Sequence, residues 1–105
     1  MKKRQKLAVG LIVFVAVSAY GGTRWYKLSN YPKWFATVAI GDTRDTVIRK
    51  MGTPDQVQSK PHWLFCNSAE CDSEFMYGHS MPPEWWVVGF NREGRTVWMA
   101  DLRSP

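Results

Sequence analysis

The chain has 105 residues, enough for one domain with one modest core. Its formal net charge of +5 is concentrated at the N-terminus, where Lys2, Lys3, Arg4 and Lys6 precede the first acid, Asp42. The remainder is close to neutral, which excludes the broad basic footprint of a nucleic-acid-binding domain.

Leu7 to Tyr20 is an apolar run behind the basic cluster, the pattern of an export segment. Two readings follow. Val17-Ser18-Ala19 is an acceptable small-residue cleavage site, and cleavage after Ala19 gives a soluble periplasmic protein. Alternatively the run continues through Gly21, Gly22 and Thr23 to Arg24. That makes a span of about 17 residues, the lower limit for crossing a bilayer. Trp25, Tyr26 and Lys27 then form an interfacial anchor. Uncleaved anchoring over 1–23, with a transmembrane helix at 7–23, is the preferred reading. Both put the basic residues inside and the rest of the chain in the periplasm. Residues 24–33, with Asn30 and Pro32, read as a linker carrying a turn. The domain proper is expected over 34–105.

Trp34 to Ile40 fits a first short helix or an extended segment. Residues 41–54 read as a helix marked at both ends. Thr43 is placed to N-cap it. Asp42 and Asp45 put negative charge at the positive end of the dipole, and Arg49 and Lys50 put positive charge at the other. Gly52 suits the residue after the helix and Pro54 prevents its continuation. Gly41, Thr43, Val47, Gly52 and Pro54 are the residues of this structural motif. Val47, Ile48 and Met51 recur at helical spacing and mark the buried face.

Four strand candidates follow: Gln56–Ser59, His62–Phe65, Glu74–Tyr77 and Trp85–Phe90. Gly78 to Glu84 is a loop broken by Gly78, Pro82 and Pro83. Asn91-Arg92-Glu93-Gly94 is a tight turn into a final strand, Thr96–Asp101, with Val97 and Met99 on one side and Trp98 on the other. If Trp63–Cys66 and Cys71–Met76 pair, Cys66 and Cys71 face each other across a hairpin loop, and an oxidising compartment favours a disulfide between them. The fold class is then α+β: an N-terminal membrane or signal helix, then two short helices packed on an antiparallel sheet of three or four strands.

Several chemistries fall away. His62, Cys66, Cys71 and His79 offer zinc-binding residue types, but their spacing matches no familiar finger and exported thiols oxidise. A nucleophilic cysteine with His62 or His79 as base needs a free thiol and an orienting partner. Neither a phosphate-cradling loop nor a nucleophile elbow is present. No catalytic residue, metal or cofactor is expected. The aromatics are the exception: six tryptophans exceed what one small core needs. Trp63, Trp86 and Trp98 fit the core face or its rim. Trp85 and Trp98 cannot both share the face of Trp86 on regular strands. Trp85 and Trp98 are therefore the candidate partner surface, unless helices or the 78–84 loop cover that side.

Ile40-x-x-Thr43-x-x-x-Val47-x-x-x-x-Gly52-Thr53-Pro54 resembles the opening motif of the BamE (SmpA/OmlA) family. These are small periplasmic lipoproteins of the outer-membrane β-barrel assembly machinery. Trp63-Leu64-Phe65 is similar to the aromatic strand that follows in that family, and Val87–Val97, turning on Asn91–Gly94, resembles its closing hairpin. The likeness runs from about Trp34 to Leu102. The family's lipid-attachment cysteine has no counterpart before Cys66. The fold so implied also resembles that of β-lactamase-inhibitory proteins. The resemblance implies a non-enzymatic binding or scaffold module. Its role would be accessory to cell-envelope or outer-membrane biogenesis, and its partner another envelope protein or membrane lipid. The alternatives are a small envelope metal-binding protein or enzyme using His62, Cys66, Cys71 and His79, or an enzyme-inhibitor module of similar fold.

Overall fold

The computed structural model describes the backbone of residues 2–103 and the side chains of residues 19–103. It forms two compact units, Met1–Asn30 and Tyr31–Pro105. The fold is α+β: α1 (Lys2–Phe35), α2 (Arg44–Met51), then β1 (Gln56–Ser59), β2 (Ser73–His79), β3 (Glu84–Phe90) and β4 (Thr96–Arg103). The strands make one antiparallel sheet in sequence order, β1-β2-β3-β4. Consecutive strands are neighbours throughout, the simplest up-and-down connection.

The N-terminal unit is helical. The apolar side chains before Ser18 that motivated the expected span lie outside the described residues. Among the described residues no helix is long and apolar enough to cross a membrane. The linker and turn expected over 24–33 are replaced by helix. Asn30 does not start a turn: its side-chain Nδ2 donates back to the Tyr26 carbonyl at 2.8 Å, a local bond that fits a helix surface. Pro32 lies inside α1, where the last turn closes with Ala36 N–H donating to the Pro32 carbonyl at 3.2 Å. A separate helix over Trp34–Ile40 does not form. Thr37 and Val38 instead donate to the Trp34 and Phe35 carbonyls, a tightened end of α1.

α2 forms as its sequence signals require. Thr43 Oγ1 accepts from Thr46 N–H at 3.2 Å, and Asp45 and Arg49/Lys50 occupy the first and last turns. Gly52 ends the helix at φ +86°, a conformation L side chains rarely adopt, with its N–H donating to the Ile48 carbonyl at 2.7 Å. Val47 and Met51 are buried. Ile48 stays partly exposed and lies off the buried stripe.

β2 and β3 are buried almost end to end, so both faces of the sheet centre are covered. On one face Phe75, Tyr77, Trp86, Val88 and Phe90 meet the helices. Tyr31, fully buried near the end of α1, stands 5.4 Å from Tyr77 and 5.7 Å from Trp86, ring centroid to centroid. Its hydroxyl donates to Asp55 Oδ2 at 3.0 Å. Arg44, opening α2, donates to Ser73 Oγ at 2.7 Å and lies 5.3 Å over the Phe90 ring. Tyr77 Oη donates to the Gly52 carbonyl at 2.9 Å, tying the end of α2 to the sheet. Burial, aided by Tyr31 and Asp55, holds that phenol well above its ordinary pKa of 10.0. The turn at Asn91–Gly94 forms as expected, closed by Gly94 N–H to the Asn91 carbonyl at 3.0 Å.

Candidate functional site

The second sheet face holds the residues singled out from the sequence. Met76, Trp85 and Val87 form a buried cluster there, with Phe65 and Trp98 packed against it. Trp85 is 8% exposed and Trp98 partly buried, so this face is an interior surface. Trp86 projects from the opposite face and is 2% exposed. Its indole N–H has no hydrogen-bond partner among the described residues, and packing holds it, with the Arg103 guanidinium 5.5 Å over its ring.

The Trp85 side has a cover of its own, on which Phe65 packs against the cluster. It is the segment between β1 and β2, residues 60–72. The strand expected at His62–Phe65 does not form. β2 already has β1 on one edge and β3 on the other, which leaves no ladder for a third neighbour. Pro61 also lacks a donor for such a ladder. The amides of the segment go elsewhere. Phe65 N–H and Cys66 N–H donate to the two carboxylate oxygens of Glu74 at 3.1 and 3.0 Å. Glu74 is fully buried in β2. A buried carboxylate is costly unless bonded, and these two donors are the bonds it receives from the cover.

Cys66 and Cys71 are joined in a disulfide with their Cα atoms 6.4 Å apart, closing a loop inside the segment rather than bridging two strands. It rests against the sheet at Gly89. A Cβ placed there would stand 2.7 Å from Cys71 Sγ, closer than real Cβ contacts come, and a tight 3.2 Å from Cys66 Sγ. Only a glycine lets the sulfur atoms lie so near the strand.

The thiolates that zinc or nucleophilic catalysis would use are therefore consumed in a bond. The histidines are not brought to them as a cluster. His79 Nε2 lies 3.2 Å from Glu84 Oε2 at the far end of the β2–β3 pair, while His62 lines an open groove beside the disulfide. No group of three or more metal-ligating side chains forms among the described residues.

Comparison with protein-family models, curated proteins and solved structures gives no match to this chain. The site is thus read from its own geometry. That geometry brings forward a residue that the sequence assigned to a core face or rim. Trp63 is 71% exposed at the outside of the 60–72 segment, its ring 4.8 Å from that of Phe65 in an edge-on arrangement. Phe65 faces inward onto the cluster and Trp63 faces out. The signal was the Trp63-Leu64-Phe65 alternation, read as a strand with no strand available to pair with. The groove of about 640 Å³ alongside is lined by Lys60, Pro61, His62, Leu64, Cys66, Ser68 and Cys71.

Proposed function

We propose that the chain is a non-enzymatic binding or scaffold module of the cell envelope, tethered by its N-terminal segment and facing the periplasm. Its role is accessory to envelope or outer-membrane biogenesis, as the resemblance of residues 40–54 and 87–97 to the BamE family implies. Its partner is another envelope protein. The observation that carries this reading is Trp63, which segment 60–72 presents to solvent just before the disulfide-closed loop Cys66–Cys71. An exposed tryptophan suits the anchor of an interface. A disulfide is also at home in an exported protein. With Trp85 and Trp98 turned inward, the docking anchor assigned here is Trp63.

A photocrosslinking residue placed at position 63 in intact envelopes tests this, with the adduct identified by mass spectrometry. One defined envelope protein is expected at position 63 and none at Val57, an exposed position on β1. Trp63→Ala should cut partner capture by about 2 kcal/mol or more of affinity while leaving the folded domain intact. Equal adducts at both positions, or capture unaffected by Trp63→Ala, would overturn the assignment. A periplasm-only reporter fused after Pro105 tests the topology, and silence from it contradicts export.

A further inference from the structure

The cover over the Trp85 face carries one internal cross-link, which ties Cys66 to Cys71 just before β2. Segment 60–72 is also held by Lys60 N–H donating to the Asp72 carbonyl at 3.0 Å, by Asp72 N–H donating to the Phe90 carbonyl at 2.8 Å, by the two amides on Glu74, and by the Phe65 ring on the Met76–Trp85–Val87 cluster. Each hydrogen bond is modest in net terms because water competes for the same groups once the segment opens. The sulfur atoms of the disulfide lie over Gly89, where the segment approaches the sheet.

The bond is also approachable. Both cysteines line the open groove that carries Lys60 and His62. Both cysteines are buried, Cys66 the less so at 8% exposed against 1% for Cys71, which makes Cys66 Sγ the nearer target for an incoming thiolate. A lysine ammonium beside a disulfide, here Lys60, attracts an incoming thiolate and steadies the departing one.

We propose that this groove is a thiol–disulfide exchange site and that Cys66–Cys71 is a reducible latch whose opening frees segment 60–72 from the apolar face of Met76, Trp85 and Val87. The reacting partner is a dithiol. One of its thiolates attacks Cys66 Sγ; the Cys66–Cys71 bond breaks, Cys71 leaves as thiolate, and a mixed disulfide forms. The second thiol of the partner then displaces Cys66 and the partner departs as a disulfide. Two electrons pass from the dithiol, and its two protons end on Cys66 and Cys71. Opened, the segment no longer supplies the Phe65 and Cys66 donors to Glu74 or the Phe65 ring to the cluster. The latch does not depend on the partner proposed above, since it uses only contacts within the domain.

Amide hydrogen exchange on the full-length, isotope-labelled chain in detergent micelles tests it, with dithiothreitol as the dithiol. On reduction the Phe65 and Cys66 amides should exchange faster by about tenfold or more, while amides of the β2–β3 ladder keep their protection. A Cys66→Ser, Cys71→Ser double variant should show the fast pattern with or without the reagent. The proposal is overturned if Phe65 and Cys66 stay protected after reduction, or if the β2–β3 ladder is lost together with them. In the latter case the bond holds the whole domain rather than a cover. Failure of dithiothreitol to yield two alkylatable thiols in the native protein overturns the exchange site directly.

Discussion

The two faces of the sheet are buried by different means. One is covered by α2 and the end of α1. Tyr31, Tyr77, Trp86 and Phe90 pack there around the Arg44–Ser73 and Tyr31–Asp55 bonds. The other is covered by an irregular segment held by a disulfide and by a buried carboxylate that takes two backbone donors. Helix-on-sheet packing draws its stability from apolar area, spread over many contacts. The loop cover draws on few contacts, so the loss of one weakens it more. The difference teaches where this small domain is rigid and where it is built to be opened or touched. Trp86 belongs to the first kind of surface. Trp85 and Trp98 belong to the second, with Trp63 on its outside.

Substitutions on the two faces should break or sharpen this contrast. Trp86→Ala should have the largest effect, about 3–5 kcal/mol in a denaturant melt, because it empties the centre of the helix-covered core. Glu74→Ala should come next, at about 1–3 kcal/mol for each of the two donors it leaves unsatisfied. Its loss should appear first as faster exchange at Phe65 and Cys66. If Glu74→Ala is as mild as a surface change, the carboxylate does not hold the cover. Trp98→Ala removes a half-buried ring from the rim of the loop-covered cluster and should cost about 1–2 kcal/mol, clearly less than Trp86→Ala. An equal loss for the two would erase the distinction between core and rim.

The smallest effect concerns pH. Asp42 donates no proton but accepts from Lys50 Nζ at 2.7 Å and from Ala39 N–H at 2.9 Å. The Lys50 bond first, then the Ala39 amide, hold its carboxyl below the ordinary 3.8. A depressed carboxyl stabilises the fold above its unfolded value and loses that contribution as pH falls through the folded one. The loss therefore lies below about pH 4, and Lys50→Ala should move it upward. The pair is partly exposed, so its contribution is under about 1 kcal/mol. NMR titration of the Asp42 carboxyl in both proteins checks the direction.

Much of the helix-covered side was legible in the sequence. Thr43, Asp45, Gly52 and Pro54 are local signals, and local signals fix local structure, so α2 stands where its caps put it. The four strands fall within a residue or two of Gln56–Ser59, Glu74–Tyr77, Trp85–Phe90 and Thr96–Asp101 for the same reason. The end of α1 was obscured because Asn30 and Pro32 are turn formers by type, and only Tyr31 packing on Tyr77 and Trp86 shows why the helix persists there. The loop-covered side was misread at one step. His62–Phe65 has strand composition, but β2, the strand it was expected to pair with, already has β1 and β3 on its two edges, a fact of topology that no local window contains. The signal that both faces are buried was present, since Trp85-Trp86-Val87-Val88-Gly89-Phe90 has no polar alternation. Glu74 reads from the sequence as a solvated carboxylate, whereas in the fold it is buried and bonded by two amides brought from the cover.

The two covers differ in kind. Native-state hydrogen exchange across a denaturant series on the oxidised full-length chain tests it most directly. The Phe65 and Cys66 amides should exchange through a small opening with little denaturant dependence, while β2–β3 amides exchange only through global unfolding. Convergence of all these amides on one steep, shared isotherm would mean that the sheet and both covers form a single cooperative unit, and would contradict it.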